Sequence, residues 1–163
     1  MWDGVQLPES EHVHIDFHLQ AQGLSFWIHA PFYHDPAPTE KAQSIWGLWD
    51  YEVVEFFLVG DDMQYLEAEF GPHGHHLLLW LDKPRNILHK HLSVTYRAQV
   101  ENNRWRGEGH IPSQHLPKNI KKWNLFSIHG TNEQRRYKCM CPMQTPKPDF
   151  HQPHQFPLFS EMA

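Results

Sequence analysis

The sequence is short of cysteine, of excess positive charge and of long apolar runs. It has two cysteines, Cys139 and Cys141, in 163 residues. Residues two apart on a strand share a face but rarely bridge, so a disulfide-stapled scaffold is excluded and a reducing compartment is expected. Lys and Arg number 14 against 19 Asp and Glu, a formal net charge of −5. The longest basic run, KNIKK at 118–122, and the pair Arg135-Arg136 read as solvated faces. Nucleic acid is therefore not an expected partner, because its backbone demands clustered cations. No stretch approaches the ~18 apolar residues of a membrane span, so no membrane partner is expected either. The N-terminus, MWDGVQLPESEH, has neither a basic region nor an apolar stretch of the secretory kind. An intracellular, cytoplasmic location is expected.

Catalytic signatures are missing too. There is no GxSxG elbow, no HExxH, no CxxC pair and no glycine-rich phosphate loop. Each would supply an activated nucleophile, a metal ligand set or a backbone anion cradle. No enzymatic activity, cofactor or dedicated metal centre is expected.

The chain is instead rich in His (15), Pro (13) and Trp (7), with 40% hydrophobic residues, enough for a packed core. The dominant hydrophobic period is two. At 12–19 (HVHIDFHL), Val13, Ile15, Phe17 and Leu19 face one way, and His12, His14, Asp16 and His18 the other. Strands follow at 23–30, 52–59, 64–70, 75–82, 91–101, 104–110, 122–129 and 135–141. Asn102-Asn103 and Gly60-Asp61-Asp62 are turns, and 111–117 is one helical turn. No segment reads as a long amphipathic helix. The expected fold is all-β, a two-sheet antiparallel β-sandwich of jelly-roll-like, carbohydrate-binding-module-like form. One domain over 1–163 is expected, with 142–163 a Pro-rich extended C-terminal wrap.

One position stands out. Glu55 lies in EVVEFFLV, an apolar strand buried on both faces by its composition. A carboxylate there is costly unless it is paired or hydrogen-bonded. It either points into a binding cleft or forms an internal ion pair with Arg97 or Arg104. Trp46 and Trp49 precede that strand, and an indole is a platform for a sugar ring or else packs at the core's edge. Tyr65, Glu67 and Glu69 alternate along the next strand, where the two glutamates read first as a solvated face. Paired with Glu55, they form the carboxylate set of a possible glycosidase. The histidines cluster as 12/14/18, 73/75/76, 89/91 and 151/154. Strand alternation accounts for the first group, and a His-based metal or pH sensor is the lesser reading.

Five blocks in order carry a resemblance: LWDYEVVEFFL (48–58), YLEAEFGPHG (65–74), WRGEGHIP (105–112), WNLFSIHG (123–130) and PDFHQPHQFPLF (148–159). The order resembles family 9 carbohydrate-binding modules and the related DOMON-like sandwiches. At full length it also resembles the uncharacterised vertebrate family named for open reading frame 33 of chromosome 4. The first resemblance implies that Trp49 stacks on a sugar and that Glu55, six residues on, accepts its hydroxyls. Tyr65, Glu67, Glu69 and Arg97 are further ligand-binding candidates. It also implies a second aromatic wall near 138–142, where KCMCP has no ring. DOMON relatives hold haem through Met and His, but the spacing of Met140 and Met143 selects no such pair. The expected function is a non-catalytic binding module with a carbohydrate-binding-like cleft, its ligand a carbohydrate or other small polar molecule. The alternative is a structural or protein-interaction domain that lost the ligand site; a glycoside hydrolase or a His-rich metal-binding protein ranks below both.

Overall fold

A computed structural model describes residues 1–159, so the last four positions of the expected wrap lie outside the described residues. Among the described residues ten strands form two antiparallel sheets. They are β1 (His14–Gln20), β2 (Gly23–Pro31), β3 (Val53–Val59), β4 (Tyr65–Phe70), β5 (His76–Lys83), β6 (Asn86–Lys90), β7 (Thr95–Glu101), β8 (Arg104–Pro112), β9 (Lys122–His129) and β10 (Arg136–Cys139). The smaller sheet has the order β1-β2-β8-β7 and the larger β10-β9-β3-β4-β5-β6. Helical structure among the described residues is confined to short 3₁₀ turns, one of them, Ser113–His115, inside the expected helical turn. None is long and apolar enough to cross a membrane.

The strands sit where the alternation put them, because each has one face to bury. Leu24, Phe26, Ile28 and Trp105 of the small sheet meet Val54, Phe56, Leu58, Phe70 and Leu78 of the large one. Val13, Ile15 and Phe17 close this core from the β1 edge, while Leu19, at the strand's end, is exposed. Asn102 and Asn103 both take positive φ (49° and 60°), as a two-residue hairpin between right-twisted strands requires. The sequence alternation missed β6. All five of its residues are exposed, and its pairing with β5 is broken by register shifts, so it carries no buried stripe.

Gly109 on β8 shows how closely side chains pack within the small sheet, between its neighbours β2 and β7. A Cβ there would lie 2.5 Å from both Phe26 Cζ and the Thr95 carbonyl. Gly109→Ala is expected to destabilise the protein by about 1–3 kcal/mol through overpacking, read as a lower urea midpoint. An unchanged midpoint would show that the Phe26 ring and the Thr95 backbone can give way at that point.

The larger sheet is buried twice. Its outer face carries Val53, Phe57, Val59, Leu77, Leu79, Phe126 and Ile128. The segment after β10 covers that face with Met143, Phe150 and Phe156. Phe150 stacks on Phe126 with centroids 4.0 Å apart. The segment is anchored by Trp123 N–H to the Pro157 carbonyl (3.1 Å) and Phe159 N–H to the Lys121 carbonyl (2.8 Å). Met140 packs in the inter-sheet core and Met143 on the outer face, on opposite sides of the sheet. Cys139 and Cys141 are both free thiols.

Candidate functional site

Period two puts Glu55 on the outer face of β3, between Val53 and Phe57. In the β3–β4 register Glu55 stands directly opposite Glu69, and Phe57 opposite Glu67. Three carboxyl groups therefore share one patch of the outer face. All three are buried, with Glu55 2%, Glu67 5% and Glu69 0% exposed. The expectation of a solvated face for Glu67 and Glu69 is thus corrected. The alternation assigned them correctly to the face opposite Leu66, Ala68 and Phe70, but the C-terminal segment covers that face.

The trio has no internal counter-charge. Glu55 Oε1, Glu67 Oε2 and both Glu69 oxygens lack a hydrogen-bond partner among the described residues. The Trp49 backbone amide exerts only a weak pull on Glu69. The ion pair considered for Glu55 does not form: Arg97 pairs with Glu108, and Arg104 bonds the Ser10 and His12 carbonyls and His29. Burial pushes the Glu55 carboxyl up to about 8, against a small opposing effect of Arg135. Burial, then repulsion from Glu55, holds Glu67 and Glu69 well above the usual carboxylate range.

Above Glu55 and Glu67 opens a pocket of about 340 Å³. Trp46 and Trp49 line it, meeting edge to face with centroids 4.9 Å apart and planes at 83°. Trp49 sits on the 3₁₀ turn Leu48–Asp50, entered through Gly47 at φ 79° and pinned by buried Leu48. Arg135, expected on a solvated face, is instead half-buried. Its guanidinium donates to the carbonyls of Trp49, Asp50 (2.9 Å) and Gly130 (3.0 Å), which holds the turn in place. Trp49 is left half-buried and Trp46 exposed, so both rings offer a face to solvent.

Tyr65 stands beside the pocket rather than in its lining. Its hydroxyl donates to the Lys83 carbonyl (3.4 Å) and shares a hydrogen bond with His151 Nδ1 (2.8 Å). His151 Nε2 lies 3.8 Å from Glu67 Oε2. Burial and the nearby Arg85 push the His151 ring down to about 4, so it is neutral and supplies no counter-charge at pH 7. Arg85 lines the pocket but is engaged with Asp149 at 2.8 and 3.4 Å. Arg97 is exposed on β7 of the other sheet, away from the pocket.

The lining also holds residues that are not among the ligand-binding candidates: Tyr137, Phe150 and His151, with Arg85 and Asp149. KCMCP itself has no ring, and the aromatic residues of this part of the lining are Tyr137, one residue earlier, and Phe150. The signal for the latter lay in the PDFHQPHQF block, which brings Asp149, Phe150 and His151 to the pocket together. A larger cavity, about 610 Å³, lies between the β1 and β10 edges. It holds none of the candidate residues, and its buried Lys138 is already bonded to Glu11 (2.7 Å) and Tyr33. Among the described residues no three His, Cys, Asp or Glu side chains are grouped as a metal centre needs.

No family model matches the chain. In a comparison with solved structures it superposes on a "putative carbohydrate-binding protein" from Bacteroides uniformis with a TM-score of 0.69, over 88% of this chain and 75% of that one. At 17% identity this likeness is one of fold. Sequence relatives are nearer. The UPF0462 protein C4orf33 homolog of Mus musculus is 38% identical over 98% of this chain and 87% of its own length. The Homo sapiens protein is 38% identical and the Danio rerio homolog 37%, with 84% and 85% of their lengths covered. With that identity running through nearly the whole chain, this protein belongs to the UPF0462 C4orf33 family.

Proposed function

We propose that the protein is a non-catalytic binding module whose ligand is a carbohydrate, held in the pocket of Trp46, Trp49, Glu55 and Glu67. One observation carries this reading: a buried carboxyl without a partner, Glu55, lies beneath two indoles that keep a face exposed. A sugar presents both matching surfaces, an apolar C–H face for the indole and hydroxyls for the carboxyl. A domain that had lost its site would have closed it, with Trp49 packed and Glu55 paired to an arginine. Glu67 accepts from a further hydroxyl, Glu69 supports the floor, and Tyr65 orients His151. Arg97 contributes nothing to this site. The likeness to the Bacteroides protein, described as carbohydrate-binding, supports the same reading.

Isothermal titration against mono- and oligosaccharides tests it. Binding of at least one glycan is expected, with Trp49→Ala weakening it by about 2 kcal/mol, roughly 30-fold, as loss of an aromatic anchor does. No heat with any glycan, or full affinity in Trp49→Ala, overturns the proposal.

A further inference from the structure

The pocket's charges pose a sharper question than its shape. Its floor is acidic, and the two arginines beside it are committed elsewhere. Arg85 is engaged with Asp149. Arg135 spends its donors on the Trp49, Asp50 and Gly130 carbonyls. His151 faces Glu67 from the C-terminal segment but is neutral. Glu55 and Glu69 are direct cross-strand neighbours, an arrangement of like groups that disfavours ionising both. A neutral sugar leaves that imbalance as it was. A cation removes it, because it supplies the counter-charge and the missing hydrogen-bond donors together.

The aromatic rim points the same way. Lys90 Nζ lies 5.0 Å from the centroid of the Trp46 ring. The Arg135 guanidinium carbon lies 5.9 Å from that of Tyr137. Two rings of the lining thus already hold the protein's own cations, as the negative face of an aromatic ring does. The right-angled pair Trp46–Trp49 makes two walls of a corner, with carboxyls below.

We infer that the sugar taken by this pocket is an amino sugar, its ammonium group seated between the Trp46–Trp49 corner and the unpartnered carboxyls of Glu55 and Glu67. The inference rests on the reading of the pocket as a carbohydrate site and names the ligand class within it. The ammonium donates to Glu55 and Glu67, and the sugar ring packs on Trp49. Seating it displaces carboxyl protons to solvent, so binding releases protons.

The test compares three β-1,4-linked trimers that differ only at carbon 2: glucose, glucosamine and N-acetylglucosamine. Titration calorimetry at pH 6, where the glucosamine amines are charged before binding, is run in two buffers of different ionisation enthalpy, with tetramethylammonium as a separate competitor. The glucosamine trimer is expected to bind at least about tenfold tighter than the other two, the effect of one charge-assisted hydrogen bond. Its heat is expected to report proton release. Glu55→Gln, which keeps size and polarity, is expected to remove the preference while the fold survives by circular dichroism. If Glu55→Gln does not fold, Glu67→Gln and competition by tetramethylammonium serve the same purpose. Equal binding of the glucose and glucosamine trimers overturns this inference and leaves the carbohydrate reading standing. So does preference for the acetylated trimer. Binding of tetramethylammonium with no trimer bound overturns the carbohydrate reading, and the amino-sugar inference with it. Silence from every probe overturns this inference, and the carbohydrate reading falls with it only when the wider set of mono- and oligosaccharides is silent as well.

Discussion

Raising the pH from 6.5 to 7.5 is expected to lower the melting temperature by roughly 10 °C. The reason is the carboxyl trio on the outer face. In the unfolded chain these groups ionise near 4.5; in the fold burial raises Glu55 to about 8 and holds Glu67 and Glu69 well above the usual carboxylate range. A carboxyl raised in the folded state contributes stability that is fully present below 4.5 and lost as pH climbs towards its folded value. Between pH 6.5 and 7.5 the folded protein keeps up to three protons that the unfolded chain has released. Each such proton costs about 1.4 kcal/mol per pH unit, so the loss is at most about 4 kcal/mol if all three are kept. Glu52, whose carboxylate takes the Tyr33 amide at 3.1 Å, is raised by burial to about 7 and adds to the loss.

Histidine acts in the opposite sense but in another window. His129 and His151 are both pushed down to about 4, chiefly by burial. Their contribution is present above 6.5 and lost as pH falls towards 4, so it leaves the alkaline slope untouched. The stability maximum is therefore expected on the acid side of neutrality. Thermal denaturation at half-unit steps from pH 5 to 8 checks this. Glu69→Gln, which removes the most enclosed of the three, is expected to flatten the alkaline slope by about a third and to raise the melting temperature at pH 7.5. A melting temperature flat between 6.5 and 7.5 would mean that the trio is ionised in the fold, and the cost assigned to its burial would be wrong.

Much of this arrangement is legible in the chain, and the parts that are not share a cause. Alternation within a strand tells which residues share a face, and it paired Glu55 with Phe57 and Glu67 with Glu69 correctly. It does not tell what lies over that face. Glu55 stood out because its own strand is apolar throughout. Glu67 and Glu69 sit in a strand that alternates, YLEAEF, so they read as solvated until the C-terminal segment is placed over them. Arg97 shows the converse. The sequence offers it as a partner or co-ligand of Glu55, but the sheet to which β7 belongs depends on pairing with β8, and that pairing carries it away from Glu55. Arg135 and His151 act from loops and coil, where no period marks a side chain as buried. His151 lay within a quoted block, yet its partners Tyr65 and Glu67 are more than 80 residues distant in sequence. Contacts of that range come from sheet order, which a single sequence does not print.

A chain ending at Cys141 is expected to lose its cooperative fold altogether. Among its described residues the segment after it has almost no regular structure, one 3₁₀ turn at Pro153–Gln155 and a single bridge from Leu158 to Lys122. Its contribution is burial. Met143, Phe150 and Phe156 are all less than a tenth exposed against the outer face. Burying side chains of this size gives about 1.5–3 kcal/mol each, roughly 5–9 kcal/mol for the three. That is comparable with the whole net stability of an ordinary domain, about 5–15 kcal/mol. Removal would also bare Phe57, Phe126 and Ile128 as one apolar surface, and such surfaces associate. It would open the carboxyl trio to water too, which relieves the cost of their burial and offsets part of the loss. The expected result is aggregation or a broad, non-cooperative melt at pH 7, with a smaller pH slope in whatever structure remains. Restoring the apolar contacts alone, by a full-length chain in which Asp149 and His151 are replaced by Asn and Gln, is expected to restore the melt but not sugar binding. A truncated chain with a sharp transition within a few degrees of the intact one would show that the inter-sheet core holds the fold by itself. The segment would then serve only the pocket it helps to line.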